Sequence, residues 1–255
     1  MRGISAAIST PTGAVKFDAE LRILGEPLNI HAEVLDAPAS LADIVPLARQ
    51  IADEVSRRSA RSAQGGGLSV PCSKGCAACC RYLVPLSAPE LLRLERDLSA
   101  LPAEPRRVVL VRLRRARQRI IEAGPPALSA DDGTSAAEAA SAWYAALDMD
   151  CPFLDNKSCA IYDQRPIACR QHMAACSPQL CRGHQPGQGR CVATPLDVCQ
   201  GLAMLAAEMT ETPLESVMLP LAPNWLANAS DAARRRWPGP LLMERFLNIL
   251  HRLVA

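Results

Sequence analysis

The sequence lacks several features that would point directly to a partner. Its 255 residues include only three Trp, three Tyr and three Phe, which leaves little aromatic surface for stacking nucleobases. The formal net charge is +2 at pH 7, so overall charge gives no reason to expect nucleic acid or an anionic membrane. No apolar run approaches the ~20 residues needed to span a bilayer. We therefore expect neither a nucleic-acid partner nor a membrane partner.

Two sequence signals that would define a compartment or a cofactor are also missing. The opening stretch, "MRGISAAISTPTGAVKFD", contains no continuous apolar segment of the kind found in secretory signals. The chain has no Gly-rich strand–turn–helix motif that would cradle a nucleotide or S-adenosylmethionine. We therefore expect a cytoplasmic protein, in a compartment where thiols are kept reduced. The sequence is silent on oligomeric state.

The first regular pattern is a predicted β-hairpin at the N-terminus. Over residues 14–35, apolar and polar residues alternate, and the short segment "GEP" divides the stretch into two halves. Phe17 and Leu21 share a face in the first half, as Leu28 and Ile30 do in the second. The alternation has the period of a strand with one buried face.

Most of the remaining chain is predicted to be helical, which makes the fold mainly α, a helical bundle around a cysteine-rich loop region. Apolar spacing predicts one helix from Ser40 to about Val55, and we interpret the polar segment "RRSARSAQGGG" after it as a linker. A capping-box spacing predicts a helix start at Ser87, and an arginine-rich helix is predicted over residues 104–123. The expected divisions are 1–66 for the hairpin and first helix, 67–199 for the cysteine-rich domain, and 200–255 for a helical extension.

Cysteine is the residue whose distribution is most unusual. The chain has 11 cysteines, and all of them lie between Cys72 and Cys199. An odd count in a chain with 49% hydrophobic residues does not fit a small secreted domain that is stapled by disulfides. The remaining interpretations are a metal site and a reactive dithiol.

The spacing of the cysteines favours a metal site. The first knot has three residues between Cys72 and Cys76, two before Cys79, and then Cys80 directly adjacent. Such short spacings allow thiolates from one tight turn to reach a single ion, and Gly75 permits a bend with positive φ. Adjacent cysteines point in different directions along an extended chain, so we do not expect both members of the doublet to bind one ion.

A second group of cysteines lies in residues 151–199, a segment rich in Pro and Gly that is predicted to be loop-like. Cys151, Cys159 and Cys169 open it, and the sequence assigns no role to the four that follow, which are Cys176, Cys181, Cys191 and Cys199. Together with the knot this gives seven candidate ligands, whereas one tetrahedral zinc takes four. The surplus fits two ions, or one iron–sulfur cluster with spare thiols. Sulfur ligands favour zinc or iron over calcium or magnesium.

Positive side chains beside the cysteines would offset the charge of several thiolates. Arg165 and Arg170 lie next to Cys169 in the sequence, and each would either donate to sulfur or bind backbone carbonyls. Tyr162 is a further candidate for the shell around the ligands. His172 and His184 are candidate nitrogen ligands, although sulfur is already in excess.

The stretches "CSKGCAACC" and "CPFLDNKSCAIYDQRPIACR" resemble the CxxCxxCC family of zinc- or iron-chelating proteins. The second stretch carries the family pattern nearly intact, and the first departs from it by one extra residue between Cys72 and Cys76. The resemblance covers about residues 70–182 and implies a metal centre of zinc, iron or a 4Fe-4S cluster. A related branch, the flagellin lysine methylases, resembles iron–sulfur enzymes that methylate lysines of a protein substrate.

Three functions follow as hypotheses. The first is a metal-binding protein that chelates zinc or iron through Cys72, Cys76, Cys79, Cys80, Cys151, Cys159 and Cys169. The second is an iron–sulfur enzyme that modifies a protein or peptide, for example as a lysine N-methylase, and it predicts a cleft beside the cysteines. The third is a thiol redox protein that uses Cys79 and Cys80 or a nearby pair, and it predicts no bound metal.

Overall fold

The computed structural model describes residues 5–9, 13–125, 135–183 and 191–254. The fold is largely α, as predicted. Its strands are β1 (Ser5–Ser9), β2 (Ala14–Ile23), β3 (Glu26–Leu35), β4 (Pro38–Ala39), β5 (Pro85–Leu86), β6 (Leu154–Asp155), β7 (Ser158–Cys159), β8 (Val217–Met218) and β9 (Trp237–Pro238). Its α-helices are α1 (Val45–Gly65), α2 (Ala88–Ser99), α3 (Ala103–Ala123), α4 (Ala136–Ala146), α5 (Ile167–Gln171), α6 (Pro178–Gly183), α7 (Val198–Thr210), α8 (Ala222–Ala227), α9 (Asp231–Arg234) and α10 (Gly239–Val254). Short 3₁₀ turns occur at Leu41–Asp43, Tyr162–Gln164 and Leu219–Leu221.

The predicted N-terminal hairpin is confirmed. Strands β2 and β3 pair along their whole length, from Ala14 opposite Leu35 to Ile23 opposite Glu26. The two residues of the turn, Leu24 and Gly25, both have positive φ, which suits the right-handed twist of a tight hairpin. One face carries buried apolar side chains, and β1 pairs with the free edge of β2.

Helix α1 is longer than the apolar spacing indicated. It continues to Gly65, so most of the predicted linker is helical. Ser59 is buried on the inner face, and Arg58 reaches back to Glu54 at 2.8 Å on the outer face. Ala, Arg and Ser are compatible with a helix even where no large apolar residue marks its inner face. The helix ends where Gly67 adopts a positive φ.

The largest apolar core joins the hairpin to α1, α5, α7 and α10. Helices α7 and α10 approach closely at Gly201, where a Cβ atom would lie 2.7 Å from a methyl carbon of Leu250. Any other residue there would require the Leu250 side chain to shift. This core draws residues from all three segments of the expected division at residues 66 and 199, and that division stays a prediction.

A second core lies between α2, α3 and the cysteine-rich segment. The predicted capping box is present at the start of α2, where Ser87 Oγ lies 3.1 Å from Glu90 Oε2. The arginine-rich helix buries Val109 and Leu113 and leaves most of its arginines at the surface. In the parts of the chain that the structure describes, no helix is both long enough and apolar enough for a membrane crossing.

Candidate metal centre

The two cysteine-rich segments meet although residues 81–150 separate them. The backbone N–H of Cys151 donates to the carbonyl oxygen of Cys80 at 2.7 Å. Next to this contact, Arg81 pairs with Asp148 at 2.7 Å and with Asp150 at 3.3 Å. The segment that contains helices α2, α3 and α4 therefore brings the chain back to the first cysteine-rich segment.

The first knot, residues 72–80, is a series of tight turns. The N–H of Cys76 donates to Ser73 at 3.0 Å, and the N–H of Cys80 donates to Ala77 at 3.1 Å. Gly75 has φ +93°, the bend that the sequence predicts at that position. Ala78 is buried, whereas Cys72 is exposed and the doublet is half-buried. The knot is thus anchored at its C-terminal end and open at its N-terminal end.

The segment 151–159 is more regular than the predicted loop. Strands β6 and β7 form a small hairpin in which Leu154 pairs with Cys159. Its turn residues, Asn156 and Lys157, both have positive φ, as in a type I′ turn. Phe153 beside it is almost fully buried. The dipeptide Asn-Lys is a weak turn signal, and the sequence alone did not reveal the hairpin.

Helix α5 carries Cys169 and is fixed from two sides. Glu90 Oε1 accepts from the N–H of Ile167 at 2.9 Å, and Ile167 itself is fully buried. On the other side, Ser56 Oγ of α1 donates to the carbonyl of Arg170 at 3.0 Å. Glu90 was identified in the sequence only as a capping residue, because its second contact joins parts of the chain that are far apart.

These elements bring together five thiols, which we call the five-thiol group. The charge of Cys79 raises the pKa of each of the other four members, and the charges of Cys151 and Cys159 act in the same way on Cys80 and Cys169. Cys72 and Cys181 also respond to the charge of Cys79, but both interact with Cys176 and are grouped with it instead. Cys79 is the common neighbour of the set. Its members are Cys79, Cys80, Cys151, Cys159 and Cys169.

Burial and hydrogen bonding set the protonation of the group. Burial raises the pKa of Cys151 to about 12, raises that of Cys159, and raises that of Cys169 well above its usual value. The hydrogen bond between the doublet thiols raises the pKa of Cys80. The same bond, assisted by the charge of Arg165, lowers the pKa of Cys79 to about 7. Cys79 is therefore the member that most readily supplies a thiolate.

Arg165 and Arg170 occupy different positions around the thiols. Arg170 is buried and donates to the carbonyls of Arg165 and Asp163 and to the carboxylate of Asp53. The guanidinium of Arg165 lies 4.1 Å from the centre of the Tyr162 ring, and its Nε is buried without a hydrogen-bond partner among the described residues. Arg170 thus holds the loop, whereas Arg165 places a free donor and a positive charge beside the thiols.

The remaining candidate ligands lie at the edge of the group. Cys72 Sγ accepts from the N–H of Ala174 at 3.4 Å, and the charges of Cys76, Cys79 and Cys176 act on its thiol. His172 packs edge-on against Tyr82, and burial lowers its pKa. His184 lies outside the described residues.

Of the cysteines without a role assigned from sequence, two form a close pair and two lie apart. Cys176 and Cys181 approach each other, with their Sγ atoms 3.2 Å apart. Cys199 Sγ lies 3.8 Å from Glu90 Oε2. Cys191 is exposed, and its backbone bridges to Ala174.

A pocket of about 640 Å³ opens beside the thiols. Cys72, Cys76, Cys79 and Cys169 line one side of it. Charged and aromatic side chains complete the wall, among them Asp53, Arg57, Tyr162, Arg165, Arg170 and His172. The predicted cleft beside the cysteines is therefore present.

In the described ranges, no three side chains of His, Cys, Asp or Glu are already arranged around one point as a metal site. The thiols would therefore have to move closer together, and lose their protons, to share one ion. The donor set nevertheless fits zinc or iron. It offers more than four sulfur atoms in one region, and Arg165 supplies positive charge and an N–H that has no partner among the described residues.

A comparison with known protein families gives a match over the same part of the chain. Residues 71–188 match the model of the CxxCxxCC family, described as a "putative zinc- or iron-chelating domain". The matched range is somewhat less than half of the chain. It includes all seven candidate ligands as well as Cys176 and Cys181, and it excludes Cys191 and Cys199. The chain has no significant match among curated proteins and none among solved structures.

Proposed function

We propose that this protein binds zinc or iron through the thiolates of the five-thiol group. One observation carries the proposal: the first knot and the segment 151–169 meet, since the N–H of Cys151 donates to the carbonyl of Cys80 at 2.7 Å and Cys79 and Cys169 line one pocket. Clustering of thiols from distant segments is typical of a site that an ion ties together. The family model that residues 71–188 match describes a zinc- or iron-chelating domain, which agrees with this chemistry.

The group contains more thiols than one tetrahedral ion needs. Four of its members would hold a single zinc, and the fifth would pack as a small apolar side chain or remain free. Four cysteines would also hold a 4Fe-4S cluster, which supplies electron transfer when bound. Cys72 and Cys76 stand at the rim, where they would complete the shell or bind a second ion. Arg165, with its unpaired Nε, would stabilise the negative charge of the thiolates.

Metal content and the visible absorption spectrum of protein purified without oxygen test the proposal. Stoichiometric zinc in a colourless sample, or iron with sulfide and a broad band near ~400 nm, would support it. The substitution Cys79→Ser should lower the metal content at least several-fold, because it removes the central thiol. The same change at Cys191, which is exposed and outside the group, should leave the content unchanged. Metal-free wild-type protein with reduced cysteines would contradict the proposal and leave thiol redox chemistry as the alternative.

A second candidate function is that of an iron–sulfur enzyme that modifies a protein or peptide. The pocket of about 640 Å³ favours it, since Cys79 and Cys169 line a cavity large enough for a side chain. Incubation of iron-loaded protein with S-adenosylmethionine and lysine-containing peptides tests for methyl transfer. A mass increase on lysine that disappears in the Cys79→Ser variant would support the enzyme. Peptides that stay unmodified while iron is bound would favour a chelating role alone.

A reducing compartment suits either function, because accessible thiolates are readily oxidised in an oxidising compartment. We therefore include a cytoplasmic location in the proposal. A protein or peptide is the partner class that the second function requires. Cell fractionation with a tagged chain would test the location.

A further inference from the structure

A second arrangement of thiols lies apart from the five-thiol group. Cys176 Sγ and Cys181 Sγ are 3.2 Å apart. This is closer than the ~3.5–4.0 Å at which non-bonded carbon atoms pack. The S–S bond of a disulfide measures ~2.0 Å, so an approach of roughly one ångström would close it. We propose that Cys176 and Cys181 form a reversible disulfide.

The backbone explains why these two side chains face each other. The carbonyl of Ser177 accepts from the N–H groups of Leu180 at 3.1 Å and Cys181 at 3.3 Å, so Ser177 begins the turn of α6. Cys176 precedes this residue and Cys181 follows it by four. If Ser177 is taken as the N-cap of α6, Cys176 is at the preceding position N′ and Cys181 is at N4. Side chains at these two positions commonly pack together across the start of a helix. The contact is therefore local and survives small movements of the rest of the domain.

The pair is held in place and is accessible. The hydroxyl of Tyr82 donates to the carbonyl of Cys181, which ties the turn to the residues after the first knot. Both thiols are half-buried, while Ser177 and Leu180 between them are exposed. A small disulfide reagent would reach the sulfur atoms from this side without unfolding of the domain.

The reaction is a thiol–disulfide exchange with a low-molecular-weight disulfide such as oxidised glutathione. The thiolate of one cysteine attacks the reagent, forms a mixed disulfide and releases one glutathione thiolate. The second cysteine loses its proton, attacks the sulfur of its neighbour and releases the second glutathione. The protein loses two hydrogen atoms, and the reagent gains them as two thiols.

This site is independent of the metal centre proposed above. Cys176 and Cys181 are not members of the five-thiol group, although Cys72 and Cys79 are near enough for their charges to act on Cys181. The alternative for this pair is that it binds an ion itself together with Cys72. A metal-protected pair would not exchange with glutathione until a chelator removed the ion, which separates the two interpretations.

Peptide mapping of the full-length protein provides the test. Trypsin cleaves after Arg170 and Arg182, and the peptide 171–182 contains Cys176, Cys181 and no other cysteine. The protein is equilibrated with glutathione buffers of increasing oxidised fraction, alkylated and digested. We expect this peptide to lose two hydrogens as the oxidised fraction rises, and to regain them with dithiothreitol. Proximity should favour the closed disulfide over the mixed disulfide by at least ~10-fold.

Variants and metal removal complete the experiment. In the Cys176→Ser or Cys181→Ser variant, the remaining cysteine of the peptide should form only the mixed disulfide with glutathione. In the Cys191→Ser variant, a matched change at an exposed cysteine, the disulfide between Cys176 and Cys181 should still form. The proposal is overturned if the wild-type peptide keeps both thiols, carries only glutathione, or is cross-linked to Cys72 or Cys191. Closure that requires prior chelation of a metal would equally overturn it, and would identify the pair as ligands.

Discussion

The first knot, residues 72–80, and the segment 151–171 supply thiols to the same group, but different forces hold them. The second segment inserts Phe153, Ile161 and Ile167 into apolar cores, and all three side chains are almost fully buried. The first knot contains one buried apolar residue, Ala78, and otherwise depends on turns and on the hydrogen bond from Cys151 to Cys80. The comparison indicates that apolar packing holds the second segment, and we predict that the first knot becomes rigid only when a ligand binds.

The largest effect should come from the apolar anchor of the second segment. Phe153→Ala removes an almost fully buried ring and should lower the free energy of unfolding of the metal-free protein by about 3–5 kcal/mol. Ser73→Ala, at an exposed position in the first knot, should change it by less than about 0.5 kcal/mol. Urea denaturation measures both. A loss below about 1 kcal/mol for Phe153→Ala would show that the cores do not anchor this segment.

The second-largest effect should be a difference in how the two segments respond to metal removal. In the first knot, the N–H groups of Cys76 and Cys80 should exchange with solvent ~100-fold faster after chelation, since few apolar contacts hold their turns. The N–H of Ala160, which donates to Phe153 at 2.8 Å, should change less than ~3-fold. Hydrogen exchange read by mass spectrometry checks both regions. Equal acceleration in the two would mean that the metal folds the whole site.

A third prediction concerns two capping boxes that differ in burial. Glu90→Ala leaves the N–H of Ile167 and the Ser87 group without a buried acceptor, and should cost about 2 kcal/mol. Glu138→Ala removes the same motif from the exposed start of α4 and should cost less than about 1 kcal/mol. Thermal or urea unfolding distinguishes them. Similar losses would indicate that the bond to Ile167 contributes little.

The affinity for metal should rise with pH, because bound thiols must lose their protons. Burial raises the pKa of Cys151 to about 12, so this thiol would release a proton on binding throughout the neutral range. The pKa of Cys79 is lowered to about 7, so it releases a proton only below that pH. For each proton that is released on binding, the affinity for metal should rise about tenfold per pH unit. Competition with a chromophoric chelator should give a slope that decreases above pH 7, whereas a flat profile would exclude protonated thiols as ligands.

The smallest expected effect is electrostatic. Arg165→Met removes the positive charge beside Cys79 and Cys159 and should weaken metal binding about tenfold. The matched change Arg107→Met, at an exposed ion pair on α3, should leave the affinity within ~2-fold. The same chelator competition measures both. Equal affinities for the two variants would assign Arg165 to packing on Tyr162 alone.

Local patterns made much of the fold predictable. The hairpin over residues 14–35, the arginine-rich helix and the capping box at Ser87 depend on periodicity and on residues three or four positions apart, and the structure confirms them. The end of α1 and the small hairpin at Asn156–Lys157 were not predicted. In both cases weak local preferences are decided by contacts with distant parts of the chain, which a local pattern does not contain.

The sequence by itself determined the chemistry of the site: sulfur ligands, their short spacings, the bend at Gly75 and the arginines beside them. Only the tertiary structure decided which thiols share one group. It placed Arg170 on backbone carbonyls and Arg165 beside the thiols, linked Glu90 to the helix of Cys169, and set Cys176 against Cys181. The physical reason is that ligand type is a property of single residues, whereas proximity depends on how the apolar cores fold residues 81–150 back on the first knot.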